Sequence, residues 1–205
     1  GMGEWETGLL GTGTNGDITV YNKQVCFPHS LGLAYSAITF YLGWRHHCDE
    51  GIIMGLAPFG DARAKIPNTN RTYLALLEEM IVETGDYAYE VDQSWLSYYR
   101  ERNKWVSDRF IKLLGPKRES GAEVTPHHMN LAAALQLRVE TVVLNQLERA
   151  RAEFGMSRLA MAGGVALNCS MNGKIEASGL FDEIFVQPGS GDDGTAIGGG
   201  YLGHK

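Results

Sequence analysis

The chain is short of cysteine, proline and basic residues, and each shortage removes a class of protein. Its 3 cysteines, Cys26, Cys48 and Cys169, stand far apart with no C-x-x-C pair. Neither a disulfide framework nor a cysteine zinc site is expected, and reduced cytoplasmic thiols fit better. The 18 Lys and Arg face 24 Asp and Glu, a net charge of −6, and the one basic stretch, Arg100 to Lys104, is short and mixed in sign. A nucleic-acid-binding surface is therefore not expected. No run of about 18 apolar residues and no leader pattern occurs, so a membrane span and a secretory signal are not expected and the protein reads as soluble and cytoplasmic. Gly1 ahead of Met2 reads as the residue left by a cleaved tag. With 6 prolines among 205 residues and 44% hydrophobic residues, the chain suits one α/β domain, or one domain with a helical appendage, that buries a real core.

Glycine is what the chain has in quantity, and it is concentrated where chemistry needs it. L-A-M-A-G-G-V-A-L-N (Leu159 to Asn168) runs from an apolar strand through a glycine pair into a helix. G-S-G-D-D-G-T-A-I-G-G-G (Gly189 to Gly200) follows a second short strand, Ile184 to Val186, and sets two carboxylates in a glycine-rich turn ahead of another helix. Such junctions let a phosphate or ribose approach the backbone, offer helix-start N–H groups as donors, and hold a hard cation on the aspartates. They point to an activated nucleotide.

Elsewhere the reading is structural. Asn15-Gly16 between two β-like runs is a type I′ hairpin signal. Ser30 is placed to cap a helix opening at Leu31, and a second short helix spans about Asp49 to Leu56 before Ala57-Pro58-Phe59-Gly60. Residues 70–120 lack glycine junctions and are rich in aromatics and charges, which predicts a helical insertion. Its aromatic stripe could stack a sugar or base, but packing is the commoner use. From His127 to Phe154 the apolar positions Leu131, Leu135, Val139, Val142, Val143, Leu147 and Ala150 follow helical spacing, with Gly155 as the stop. Alternating α and β elements predict a sheet flanked by helices.

Four blocks then carry a resemblance. F-P-H-S-L-G-L-A-Y-S-A-I-T-F-Y-L-G (Phe27 to Gly43), D-E-G-I-I-M-G-L-A-P-F-G (Asp49 to Gly60), A-G-G-V-A-L-N (Ala162 to Asn168) and the Gly191-Asp192 turn resemble, in order, the O-carbamoyltransferases of nodulation-factor and antibiotic biosynthesis. The blocks span nearly the whole chain and are specific together. The resemblance implies a ribonuclease-H-like (ASKHA) lobe, with a mixed sheet flanked by helices, similar to the tRNA threonylcarbamoyltransferase subunit. It also implies that residues 1–205 are about the second half of that domain. The upstream half with its H-x-x-x-H metal motif and the downstream domain that makes carbamoyl adenylate from carbamoyl phosphate and ATP are absent from the sequence. In the family the carbamoyl group passes to a hydroxyl of a sugar or secondary metabolite with a divalent metal, Fe2+, in place.

On this resemblance Gly163, Gly164, Asn168 and Gly191 line the nucleotide. Glu50 meets ribose hydroxyls, and Asp192, rather than Asp193, is the metal carboxylate, with helix capping as the alternative for Asp192. Asn168 is expected one turn into its helix, with an amide able to read an adenine or ribose edge. Glu4 matches a first-hairpin glutamate, and Gly115-Pro116 with Arg118 echoes a loop whose arginine faces either substrate or solvent. Two departures stand out: Ile52 where the family has lysine, and Asn130 where it has aspartate. The pairs His46-His47 and His127-His128 are adjacent in sequence and cannot share one helix face, and His29 is alone. The chain by itself is therefore expected to be inactive, with an uncovered apolar face that favours a homodimer. A threonylcarbamoyl enzyme acting on tRNA, a non-catalytic nucleotide-binding module and a sugar kinase are the competing readings.

Overall fold

A computed structural model describes residues 5–21, 25–85 and 87–204; Glu4 lies outside them. The chain begins with short strands β1 (Glu6–Gly8), β2 (Gly11–Thr14), β3 (Asp17–Val20) and β4 (Val25–Cys26). β2 and β3 pair as an antiparallel hairpin, and Asn15 and Gly16 take the positive φ, 54° and 89°, that a type I′ turn requires. β1 pairs with β4.

Helix α1 (Leu31–Tyr41) starts where the Ser30 hydroxyl accepts the Leu33 N–H at 3.2 Å. Helix α2 (Glu50–Leu56) runs into a 3-10 turn, Ala57–Phe59, that ends at Gly60. Then come α3 (Tyr73–Met80), the antiparallel pair β5 (Ile81–Glu83) and β6 (Tyr89–Val91), and α4 (Asp108–Leu114). Residues 70–120 are thus not purely helical as expected: a hairpin of three-residue strands separates the two helices. Their aromatics are packing groups, since Tyr73, Tyr89, Trp95 and Phe110 are all buried in the core.

The spine of the molecule is α5 (Pro126–Phe154), closed by Gly155 in the left-handed conformation. Its Leu131, Leu135, Val139 and Val142 are buried in one cluster with Ala34 and Ile38 of α1 and Leu76, Leu77 and Met80 of α3. Burying side chains of this size is worth about 1.5–3 kcal/mol each, which makes this cluster the main stabilising feature. The chain ends with β7 (Arg158–Met161), a 3-10 turn (Gly164–Leu167), α6 (Cys169–Ala177), β8 (Glu183–Val186) and α7 (Gly194–Gly203).

The architecture is α/β, but the expected mixed sheet is not formed among the described residues. Strands occur as four separate pairs, three antiparallel and one, β7–β8, parallel. Sheet pairing is non-local and needs partner strands, whereas each helix is set by its own caps and stripe. α7 buries none of its residues, and Ile197, Tyr201, Leu202 and nearby Phe185 are exposed. No helix among the described residues is long and apolar enough to cross a membrane.

Three histidines make the fold sensitive to acid. His127 lies between two phenols, its Nδ1 at 2.6 Å from the Tyr73 hydroxyl and its Nε2 at 3.4 Å from that of Tyr41. Burial lowers its pKa, and burial is also the main cause of the lowered values of His46 and His128. The unfolded chain therefore takes up these protons first, so stability is fully present above about pH 6.5 and falls as pH drops below it. The urea midpoint is expected to be lower at pH 5.5 than at 7.5, with a shallower dependence in His127→Gln; an unchanged midpoint would contradict this.

Candidate functional site

The parallel pair creates the site. Met161 and Val186 are in register at the carboxyl ends of β7 and β8, so both glycine turns leave the sheet side by side. This edge is where α/β folds bind ligands. The turns are tied together directly, because the Gly163 N–H donates to the Ser190 carbonyl at 2.7 Å. Gly163 holds φ 98°, ψ 155°, a conformation open essentially to glycine alone.

Opposite the turns stand α1 and α2. Between them lies a cavity of about 550 Å³, within the usual range for small-molecule sites. Its lining includes Glu50, Gly164, Asn168, Gly191 and Asp192, so five of the six residues singled out in the sequence are brought to one place. Gly163 is not among the lining residues; its N–H is committed behind the wall. Leu31, Leu33, Met54, Val139, Val165 and Leu167 give the cavity an apolar side.

Each polar group has a defined setting. Glu50 Oε1 accepts the Ser36 hydroxyl and the His47 N–H, both at 2.6 Å, which leaves Oε2 without a partner among the described residues. A carboxylate with one oxygen anchored and one open suits a vicinal diol. Asn168 is not one turn into the helix as expected. The 3-10 turn uses up residues 164–167, so Asn168 becomes the cap of α6, its Oδ1 accepting the Met171 N–H at 3.0 Å. Its amide also pairs with Gln136 of α5 in both directions, at 2.9 and 3.0 Å.

Asp192 is exposed, and its carboxylate makes no hydrogen bond among the described residues; only its backbone carbonyl meets Thr195. The capping alternative for its side chain is therefore not what the structure shows, and Asp193 at the cap position makes no side-chain cap bond either. The donor set does not fit an iron centre. No three His, Cys, Asp or Glu among the described residues are grouped to hold a metal, and Asp192 by itself is too little for a transition ion. Of the histidines, His47 lines the cavity, its backbone N–H donating to Glu50 Oε1, and four others are engaged elsewhere. His29 Nδ1 accepts the Val91 N–H at 3.0 Å, His46 packs 4.2 Å from the Trp105 ring, and His127 and His128 lie edge to face at 5.3 Å.

Three other expectations are resolved by geometry. Arg118 is not a surface arginine and is not among the cavity residues: it is buried, and its guanidinium donates to the Leu42 and Ala122 carbonyls. Asn130 uses its Oδ1 to accept the Asp61 N–H at 2.8 Å, a task aspartate performs equally well, so this departure from the family is conservative. Ile52 is exposed and not among the cavity residues, and the lining contains no lysine or arginine. Two polar residues escaped the sequence reading, Gln136 and Glu140. Their signal was present: a polar pair four residues apart on the buried side of a helix is unusual.

Comparison with known proteins gives the family. A family model described as "Carbamoyltransferase N-terminus" matches residues 1–201. Over 200 residues, 97% of the chain, it is 36% identical to nodulation protein NolO of Bradyrhizobium diazoefficiens and covers 32% of that protein. It is 34% identical to nodulation protein NolNO of Sinorhizobium fredii, again over 97% of the chain and 26% of the relative. An uncharacterised protein of Synechocystis is 35% identical over 97% of the chain and 31% of its own length. The chain thus spans about a third or less of the length of these curated relatives. With the motifs in order, a family match that spans residues 1–201, and 34–36% identity to these nodulation proteins over 200 aligned residues, the chain belongs to the carbamoyltransferase family, in the part described as its N-terminus.

Proposed function

We propose that this chain forms the nucleoside-binding wall of an O-carbamoyltransferase. In the whole enzyme, carbamoyl phosphate, ATP and water give carbamoyl adenylate, phosphate and pyrophosphate, and the carbamoyl group then passes to a hydroxyl of a sugar or secondary metabolite with release of AMP. The observation that carries this reading is the convergence of Glu50, Gly164, Asn168, Gly191 and Asp192 on one cavity at the end of a parallel strand pair. The open oxygen of Glu50 receives the ribose diol, the apolar side takes the base, and the Gly164–Asn168 wall fixes the nucleoside edge.

The lining favours the nucleoside end of the ligand over its phosphates. It carries Glu50 and Asp192 but no lysine or arginine, so a polyphosphate would find its charge unmatched here. AMP, the nucleotide part of carbamoyl adenylate, is therefore the suitable probe. AMP is expected to bind, and 2′-deoxy-AMP to bind several-fold more weakly. In Glu50→Ala that difference disappears and AMP weakens about tenfold, the scale of one hydrogen bond to a charged group. Calorimetric titration checks this; absence of AMP binding, or an unchanged preference in Glu50→Ala, contradicts it.

The 205 residues alone are expected to give no turnover of carbamoyl phosphate with a polyol, because the described residues assemble no metal centre. A lining without lysine or arginine also suits a nucleotide-binding module without catalysis. Turnover by the intact protein separates the two readings.

A further inference from the structure

Behind the cavity wall lies a chain of polar groups whose direction is fixed at both ends. Asn168 Oδ1 accepts the Met171 N–H, one bond that favours this orientation of the amide. Asn168 Nδ2 donates to Gln136 Oε1 at 2.9 Å while Gln136 Nε2 donates back to Asn168 Oδ1 at 3.0 Å. Gln136 is held in turn. Its Nε2 also donates to Glu140 Oε1 at 2.7 Å, and its Oε1 accepts the Tyr35 hydroxyl at 2.9 Å.

Glu140 is 2% exposed, and its carboxylate also takes the Ser170 hydroxyl at 3.0 Å and the Lys174 ammonium. An ionised carboxylate can only accept, so it turns the Gln136 nitrogen toward itself. Burial, then the charges of Glu140 and Glu50, raise the Tyr35 pKa, which keeps that hydroxyl a donor. Every member therefore agrees on one polarity.

We infer that Gln136 and Glu140 are positioning residues that lock Asn168, on the cavity wall, as a hydrogen-bond donor, so that the ligand must bring an acceptor to that point. The cyclic pair uses one N–H of the Asn168 amide. The other has no partner among the described residues, and Asn168 lines the cavity. For a nucleoside the matching acceptor is a ring nitrogen or a ribose oxygen. This inference rests on the nucleoside reading above and deepens it.

The test is a set of AMP titrations on the intact protein. Asn168→Ser keeps an efficient helix cap and removes the amide. Gln136→Leu is close in size and has no polarity. The probes are AMP, its 1-, 3- and 7-deaza forms, and 2′- and 3′-deoxy-AMP. One analogue lacks the acceptor that Asn168 meets; it is expected to bind the wild type about tenfold more weakly than AMP does, a hydrogen bond's worth of discrimination. Asn168→Ser and Gln136→Leu should each bind that analogue and AMP alike, and Gln136→Leu should cost AMP affinity in the wild type but less than about twofold in Asn168→Ser. A merely structural Gln136 would weaken both backgrounds equally and leave the discrimination intact, which overturns the inference while the nucleoside reading survives. No AMP binding by the wild type overturns both.

Discussion

Replacing Gly60 by alanine is expected to lower the melting temperature by about 6–12 °C, the consequence of a loss of about 3 kcal/mol in a domain of this size. Gly60 closes the D-E-G-I-I-M-G-L-A-P-F-G block, and the structure gives the physical reason for a glycine there. A Cβ at this position would lie well inside contact distance of the Met129 carbonyl and 2.7 Å from the Asn130 nitrogen, both backbone atoms of the first turns of α5. Neither can swing away as a side-chain tip could, so α5 or the 57–60 turn must shift. The neighbouring Asp61 N–H to Asn130 Oδ1 bond would be lost with that shift. The glycine is thus a packing requirement that couples α2 to the spine helix. Thermal unfolding checks it, and a change below about 2 °C, less than about 1 kcal/mol for a domain of this size, would show that the junction gives way freely.

Arg118→Ala is expected to cost a similar amount, about 3 kcal/mol, because hydrogen bonds from a charged donor are worth about 1.5–3 kcal/mol each before the ring contact is counted. Arg118 is 7% exposed. Its Nε donates to the Leu42 carbonyl at 2.5 Å, another nitrogen to the Ala122 carbonyl, and its guanidinium lies 4.0 Å over the Trp44 ring. Its own N–H donates to the Tyr41 carbonyl at 3.0 Å. The side chain therefore seals the end of α1, whose last carbonyls lack helical partners. Lysine cannot replace it, since one ammonium does not span two carbonyls and stack on a ring together. Arg118→Lys should recover little of the lost stability, and AMP affinity of folded Arg118→Ala should match the wild type. A selective loss of AMP affinity at unchanged stability would return Arg118 to the ligand.

What the sequence allowed to be read was local. The Ser30 cap, the Asn15-Gly16 turn and the α5 stripe each depend on residues within one or two turns, and each appears as expected. The cavity residues were legible because strand–glycine–helix junctions carry their own geometry, and parallel pairing of β7 with β8 brings two of them together. What failed either left no periodic signal or depended on distance in the chain. The β5–β6 hairpin has strands of three residues, too short for a period to show. Asn168 was misplaced because the 3-10 turn before it spends residues that a direct helix start would not. Arg118 and Gln136 take their roles from carbonyls and amides 76 and 32 positions away, which no window along the sequence contains.

The proposed nucleoside site is the cavity between α1, α2 and the two glycine turns. A crystal structure of the protein at saturating AMP tests it most directly. The predicted result is AMP in that cavity, with ribose hydroxyls within hydrogen-bond distance of the Glu50 carboxylate and the Asn168 amide donating to the nucleoside. AMP bound elsewhere on the protein, with the cavity empty, would contradict it.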